Sequence, residues 1–232
     1  MESRPWQKNY DYCVPTAIRF PRFPVQNFLH LSASQFPFKA ATDFYGSEMT
    51  FTQLRTQMLR LANALGQLGV KKGDRIGLAL PNCPQYIIAY NAILSAGAIV
   101  VNMNPLYTHD ELKFMLDNTS VRLLVTFDGA LPTMRPLSQE LGIALIVTRV
   151  TDYITGFGVS TAKDLELDEG WHHFSELIEG CTNTQIPRVD FTPQDAALIQ
   201  FTGGTTGIPK GALLTHGNVV AATLQCSMWG SS

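Results

Sequence analysis

The sequence predicts an α/β fold in which a mainly parallel sheet carries helices on both faces. Short apolar runs alternate with segments of helical periodicity from residue 51 onward. Those runs are continuous rather than alternating, as strands buried on both faces require. With 232 residues, 45% of them hydrophobic and 16% charged, the chain can bury a core of that size.

Residues 1–50 are rich in proline and aromatics. Through PTAIRFPRFP each proline biases its predecessor toward extended backbone. This stretch reads as an extended N-terminal arm and lead-in, not an independent core. Helical spacing starts at Phe51, where Leu54, Met58, Leu61, Ala62, Leu65 and Leu68 recur at steps of three and four. Gly69 is placed to end that helix. After the turn KKGD, residues 75–80 suit a buried strand. Pro84 fits the first position of the next helix, closed by Gly97. Residues 99–101 read as a strand. Thr108 and Glu111 form a capping box that opens another helix. Strands follow at 121–127 and 143–147, with a short helix at 137–141 between them. Residues 151–170 are polar and aperiodic and read as a surface excursion. A short helix at 174–178, a capped turn at Thr192-Pro193 and a strand at 196–201 complete the pattern.

A net charge of -2 with no Lys/Arg run excludes a nucleic-acid surface. The four cysteines form no C-x-x-C pair, so neither zinc nor redox chemistry is indicated, and thiols in a reducing compartment are expected. His172 and His173 are neighbours, which point differently on any regular element. They read as surface histidines near Trp171 rather than a metal pair. The first residues hold no apolar signal core, and no run approaches about 20 apolar residues. The expected location is cytoplasmic, with peripheral membrane attachment and homo-oligomer formation left open.

The strand at 196–201 leads into Thr202-Gly203-Gly204-Thr205-Thr206-Gly207-Ile208-Pro209-Lys210-Gly211. Glycines let backbone N–H groups approach a ligand and form a concave anion site. Threonine hydroxyls add donors that rotate to meet phosphate oxygens. Lys210 adds charge, and Pro209 stiffens the chain before it. Thr, Gly and Pro also populate ordinary surface turns, but this density after a buried strand points to polyphosphate. The ordinary P-loop needs Gly before its Lys and Ser/Thr after it, whereas Pro209 and Gly211 stand there.

At this loop, residues 201–211, the chain resembles the adenylate-forming (AMP-binding) superfamily, whose loop has the form [ST]-[ST]-G-[ST]-T-G-x-P-K-G. Gly203 in the second place is similar to the long-chain fatty-acyl-CoA synthetase branch. RPWQKNYDYCVP, MTFTQL, the stretch from GVKKGDRIG to NMNPLY, and LLTHGN resemble that branch in the same order. The resemblance implies that residues 51–232 are part of the large N-terminal domain of such an enzyme. It implies ATP, Mg²⁺ and coenzyme A as reaction partners and a fatty acid as substrate: the carboxylate attacks the α-phosphorus of ATP, and the coenzyme A thiolate then displaces AMP. Carried onto this chain, it makes Thr202, Gly203, Gly204, Thr205, Thr206, Gly207 and Lys210 the nucleotide-binding residues. Thr206 and Lys210 take catalytic roles and Thr202 a magnesium contact. His216 and Asn218 match the family's T-H-x-N, with helix capping by Thr215 or Asn218 the favoured role. NMNPLY matches a segment that is mostly structural.

Family members are longer. Their acidic magnesium ligand, ribose-binding aspartate, hinge and C-terminal domain with its catalytic lysine have no counterpart in residues 1–232. The chain alone is therefore expected neither to form acyl-AMP nor to make thioester, and strands lacking later partners are expected to leave open edges. Other readings stay open: a medium-chain, aryl or amino-acid activating relative, an ATPase releasing ADP, or a truncated relative without catalysis.

Overall fold

The computed structural model describes residues 4–154, 165–202 and 209–230. Within the stretch read as an extended arm it holds four elements, the first a short 3-10 helix at Pro5–Asn9. Helix α1 (Asn27–Gln35) begins just after Pro24, and strands β1 (Ala40–Phe44) and β2 (Ser47–Thr50) form an antiparallel hairpin. The prolines of PTAIRFPRFP do end before α1, but its buried residues are only Leu29 and Ala33, one turn apart, with no side-chain cap. The hairpin turns through Tyr45 and Gly46, with φ of 51° and 79°. Asp43 Oδ1 accepts from the Gly46 N–H at 3.0 Å, the local bond that lets such a turn hold its shape.

Thr50 closes β2 and caps helix α2 (Phe51–Gln67) in a reciprocal box with Gln53. The stripe Leu54, Met58, Leu61, Ala62 and Leu65 is buried as its spacing requires. Leu68 is not: the helix ends at Gln67, and Leu68 is 39% exposed. Gly69 takes φ 88°, its N–H bonds to Gly66 O, and the Val70 N–H reaches Leu65 O. That closed pair of bonds satisfies the last carbonyls of the helix. Gly97 ends the next helix, α3 (Pro84–Ser95), in the same way, with φ 82° and bonds to Leu94 O and, from Ala98, to Ile93 O.

Strand β3 (Arg75–Ala79) precedes α3, and β4 (Ile99–Asn102) follows it. Helix α4 (His109–Thr119) opens with the Thr108–Glu111 capping box anticipated above. Then come β5 (Leu123–Phe127), α5 (Leu131–Leu141) and β6 (Ala144–Thr148). Helix α5 starts six residues before its expected start at 137, with Pro136 inside it. Pro132 sits in its first turn, where no N–H is needed. Two prolines in one segment concealed the early start. β7 (His172–His173), α6 (Phe174–Gly180), β8 (Ala196–Thr202), β9 (Lys210–Thr215) and α7 (His216–Gly230) complete the described strands and α-helices. Of the surface excursion, residues 155–164 lie outside the described residues.

The larger sheet runs β7-β6-β5-β3-β4-β8-β9, every pair parallel except β8–β9. Ile76, Leu78 and Val100 face a core with α1, α2, α3, α6 and α7. Val101, Met103 and Leu124 face a second core with α4 and α5. The expected two-faced α/β fold is thus observed, with one antiparallel edge strand. His172 and His173 are not free surface residues but the half-buried edge strand β7, paired with Ile146 and Val147. Trp171 beside them carries Arg135 over its ring at 5.2 Å.

Candidate functional site

From β3 the chain steps to β4 on one side, then returns to β5 on the other. The connections after β3 and β4 therefore leave toward opposite faces, through α3 and α4, and open a crevice at the carboxyl ends of the strands. Parallel α/β sheets bind ligands at such a switch point. A cavity of about 510 Å³ lies there, lined among others by Asn82, Tyr86, Asn102, Asn104, Phe127 and Gln200.

Three of these side chains form a directional chain of hydrogen bonds. Tyr86 Oη donates to Asn102 Oδ1 at 3.1 Å, and Asn102 Nδ2 donates to Gln200 Oε1 at 2.8 Å. Gln200 Nε2 then donates to Phe201 O at 3.3 Å. Asn102 and Gln200 are register partners on β4 and β8, so their side chains share one face of the sheet. Burial pushes the Tyr86 phenol above its ordinary value, which keeps its proton in place as the donor.

β8 ends two residues beyond Gln200. Thr202 is exposed and pairs in register with Lys210, the first residue of β9. The Thr202 hydroxyl donates to Lys210 O at 3.4 Å. These two sequence-designated residues are thus held face to face beside the crevice. Gly203, Gly204, Thr205, Thr206 and Gly207 lie outside the described residues. Among the described residues no cluster of His, Cys, Asp and Glu could hold a metal ion, and no helix is long and apolar enough to cross a membrane.

Thr215 and Asn218 cap α7 as expected: the Asn218 N–H reaches Thr215 Oγ1 at 3.1 Å, and the Thr215 N–H reaches Asn218 Oδ1 at 3.0 Å. His216 is buried instead of facing the crevice. Its Nδ1 accepts from the Val25 N–H at 3.2 Å, tying α7 to the segment before α1. Its ring also meets Phe191 edge-on, at 5.3 Å between centroids.

Burial lowers the His216 pKa from 6.5 to about 4, with Lys72 adding to the fall and Asp195 opposing it. Between those values the unfolded chain binds more protons than the folded one. The stability held by neutral His216 is therefore complete above pH 6.5 and is lost progressively as pH falls toward about 4. His30, whose pKa burial also lowers, acts in the same direction. Urea midpoints taken at pH 7 and pH 5 should show the loss, and His216→Gln should flatten the difference. An equal pH dependence in the variant would remove His216 as its source.

The sequence reading passed over Tyr86, Asn102 and Gln200 as individuals. The available signal was polarity out of place: an Asn and a Gln near the ends of the apolar runs IVVN and ALIQF.

The sequence matches the AMP-binding enzyme family over residues 29–231. It is 37% identical to a long-chain-fatty-acid–CoA ligase of Bacillus subtilis (strain 168), over 97% of this chain and 42% of that protein. It is 34% identical to the enzyme so named in Escherichia coli O6:H1, over 93% of this chain and 41% of that protein. The fold matches a long-chain-fatty-acid-CoA ligase from Archaeoglobus fulgidus with a TM-score of 0.77 at 24% identity, over 96% of this chain and 42% of that one. It also matches the anthranilate CoA ligase AuaEII, solved with anthranoyl-AMP, with a TM-score of 0.76 at 23% identity, over 90% of this chain and 37% of that one. The chain thus spans about two-fifths of the length of these relatives.

Proposed function

The chain belongs to the AMP-binding enzyme family, and from that membership we propose that it supplies the phosphate-binding part of an ATP-dependent long-chain fatty acid–CoA ligase. One observation carries the reading. β8 and β9 set Thr202 and Lys210 opposite each other, at the two ends of a Gly/Thr run, beside the crevice at the sheet's switch point. Residues 202–207 would take the β- and γ-phosphates on backbone N–H groups and hydroxyls, with Thr206 and Lys210 meeting charge that shifts during transfer.

A carboxylate oxygen bonds to the α-phosphorus of ATP as the bond to pyrophosphate breaks. The acyl group then passes to the sulfur of coenzyme A, and AMP leaves. Carboxylate oxygen is a poor leaving group and AMP a good one, so the first step activates the acid for the second. What this chain's residues contribute is mainly position and charge neutralisation. Mg²⁺, when bound, would neutralise phosphate oxygens. Thr202 fits a contact to it, because its exposed hydroxyl uses its proton toward Lys210 O and leaves oxygen lone pairs for an ion. The long-chain assignment is supported by the Bacillus subtilis and Escherichia coli relatives, both long-chain-fatty-acid–CoA ligases.

The test is a chimaera in which this chain replaces the matching segment of the Bacillus subtilis ligase. Fatty-acid-dependent release of AMP and pyrophosphate is expected. Release of ADP would defeat the reaction assignment, and preference for aryl or short acids traceable to the exchanged segment would defeat the long-chain one.

A further inference from the structure

We propose that Asn102 and Gln200 are positioning residues for phosphate binding: the Tyr86–Asn102–Gln200 chain fixes the carboxyl end of β8 and so the placement of Thr202 against Lys210. The proposal rests on the phosphate-binding reading above and adds to it a support on the neighbouring elements. Three observations carry it.

The bonds have only one workable direction. A phenol that keeps its proton donates to Asn102 Oδ1, which turns the Asn102 amide nitrogen toward Gln200. Gln200 must then present its oxygen to Asn102 and its nitrogen to Phe201 O. Flipping either amide would set like against like. The end of β8 is thereby tied to β4 and α3 by side chains, beyond the backbone ladder that ends at the Asn102–Gln200 pair.

The bonds also sit where a strand needs support. The β4–β8 ladder stops at Gln200, while β8 runs on to Thr202 with β9 as its partner. Thr202 and Lys210 thus project past the end of β4. Hydrogen bonds that lock supporting side chains hold a binding group in place. Finally, Gln200 shares its face of β8 with Thr202, two residues on. The relay is therefore on the side from which the Thr202 hydroxyl projects.

The experiment uses the whole 232-residue chain with Mg·ATP as probe. The double variant Asn102→Leu/Gln200→Met removes both amides while keeping size and neutrality, and leaves the Tyr86 hydroxyl at the cavity, where water takes up its bond. Its affinity for Mg·ATP should fall roughly tenfold, the loss typical of removing a support behind a binding group. Amide exchange at residues 200–202 and 210–212 should speed up, while the amides of α2 stay as protected as before. Tyr86→Phe removes one bond of the chain and should give a smaller change of the same kind. It keeps the test open if the double variant folds poorly.

Wild-type affinity together with unchanged exchange in the variants would overturn the proposal, as would faster exchange throughout the protein, which marks a general packing contact. Lys210→Ala separates the two readings. If it loses affinity while the relay variants do not, phosphate binding stands and the positioning role falls. If the wild-type chain binds no Mg·ATP, the same variants are read in the chimaera with the Bacillus subtilis ligase, where absence of Mg·ATP binding defeats the phosphate reading and takes the positioning role with it.

Discussion

Replacing Lys210 with alanine is expected to weaken Mg·ATP binding by roughly ten- to a hundredfold. A hydrogen bond to a charged group contributes about 1.5–3 kcal/mol, and each 1.4 kcal/mol or so is a factor of ten in affinity. Lys210 opens β9, opposite Thr202, and is exposed. The fold loses little, because an exposed lysine at an edge strand supports no core. Calorimetric titration of the wild-type and Lys210→Ala chains decides the matter when melting curves are compared alongside. Equal affinity would mean that the ammonium does not meet phosphate. A matched fall in melting temperature would mean that the loss came from the fold.

The second large effect lies in the core. Leu61→Ala should destabilise the protein by about 2–5 kcal/mol, the range for emptying a buried leucine site. Leu61 is 0% exposed in the layer where α2 meets the sheet and its neighbouring helices. Leu68, beyond Leu65 on the same stripe, is 39% exposed as the residue that closes the helix. Leu68→Ala should cost about 0.5 kcal/mol or less. Urea denaturation of the two variants, with unchanged slope, would show a large midpoint shift for Leu61 and almost none for Leu68. Similar shifts would mean that α2 continues packing past Gln67.

That contrast shows where sequence patterning carries information and where it stops. The stripe from Leu54 to Leu65 is legible because every member meets one core. Its extension to Leu68 fails because the Gly69 cap ends the helix a residue earlier than periodicity alone suggests. Glycines 69 and 97 and the Thr108–Glu111 box announce helix ends through local chemistry, and the structure places those ends accordingly. Helix α1 and the β1–β2 hairpin went unread because each owes its place to a neighbour. α1 offers two buried apolar residues, and β2 is defined by its turn and by the cap it gives α2.

The site follows the same rule. The Gly/Thr run and Lys210 stand out within a dozen residues of sequence. The amide chain behind them joins residues 98 positions apart, Asn102 and Gln200, which only the β4–β8 pairing brings together. His216 belongs to the same class. Its motif suggested a capping region, but its partner is the backbone of Val25, 191 residues away.

The amide chain has an electrostatic consequence. Asn102 and Gln200 carry no charge, and the raised pKa of Tyr86 keeps its phenol protonated through the neutral range. Dissolved ions therefore have nothing in it to screen. Lys210 is different: its attraction for phosphate acts through solvent, and the screening length falls from about 10 Å at 0.1 M salt to about 3 Å at 1 M. Placement and attraction are thus built from separate kinds of group. Added salt should erode the share of binding that belongs to Lys210 and leave untouched the share that belongs to the shape of the sheet's end.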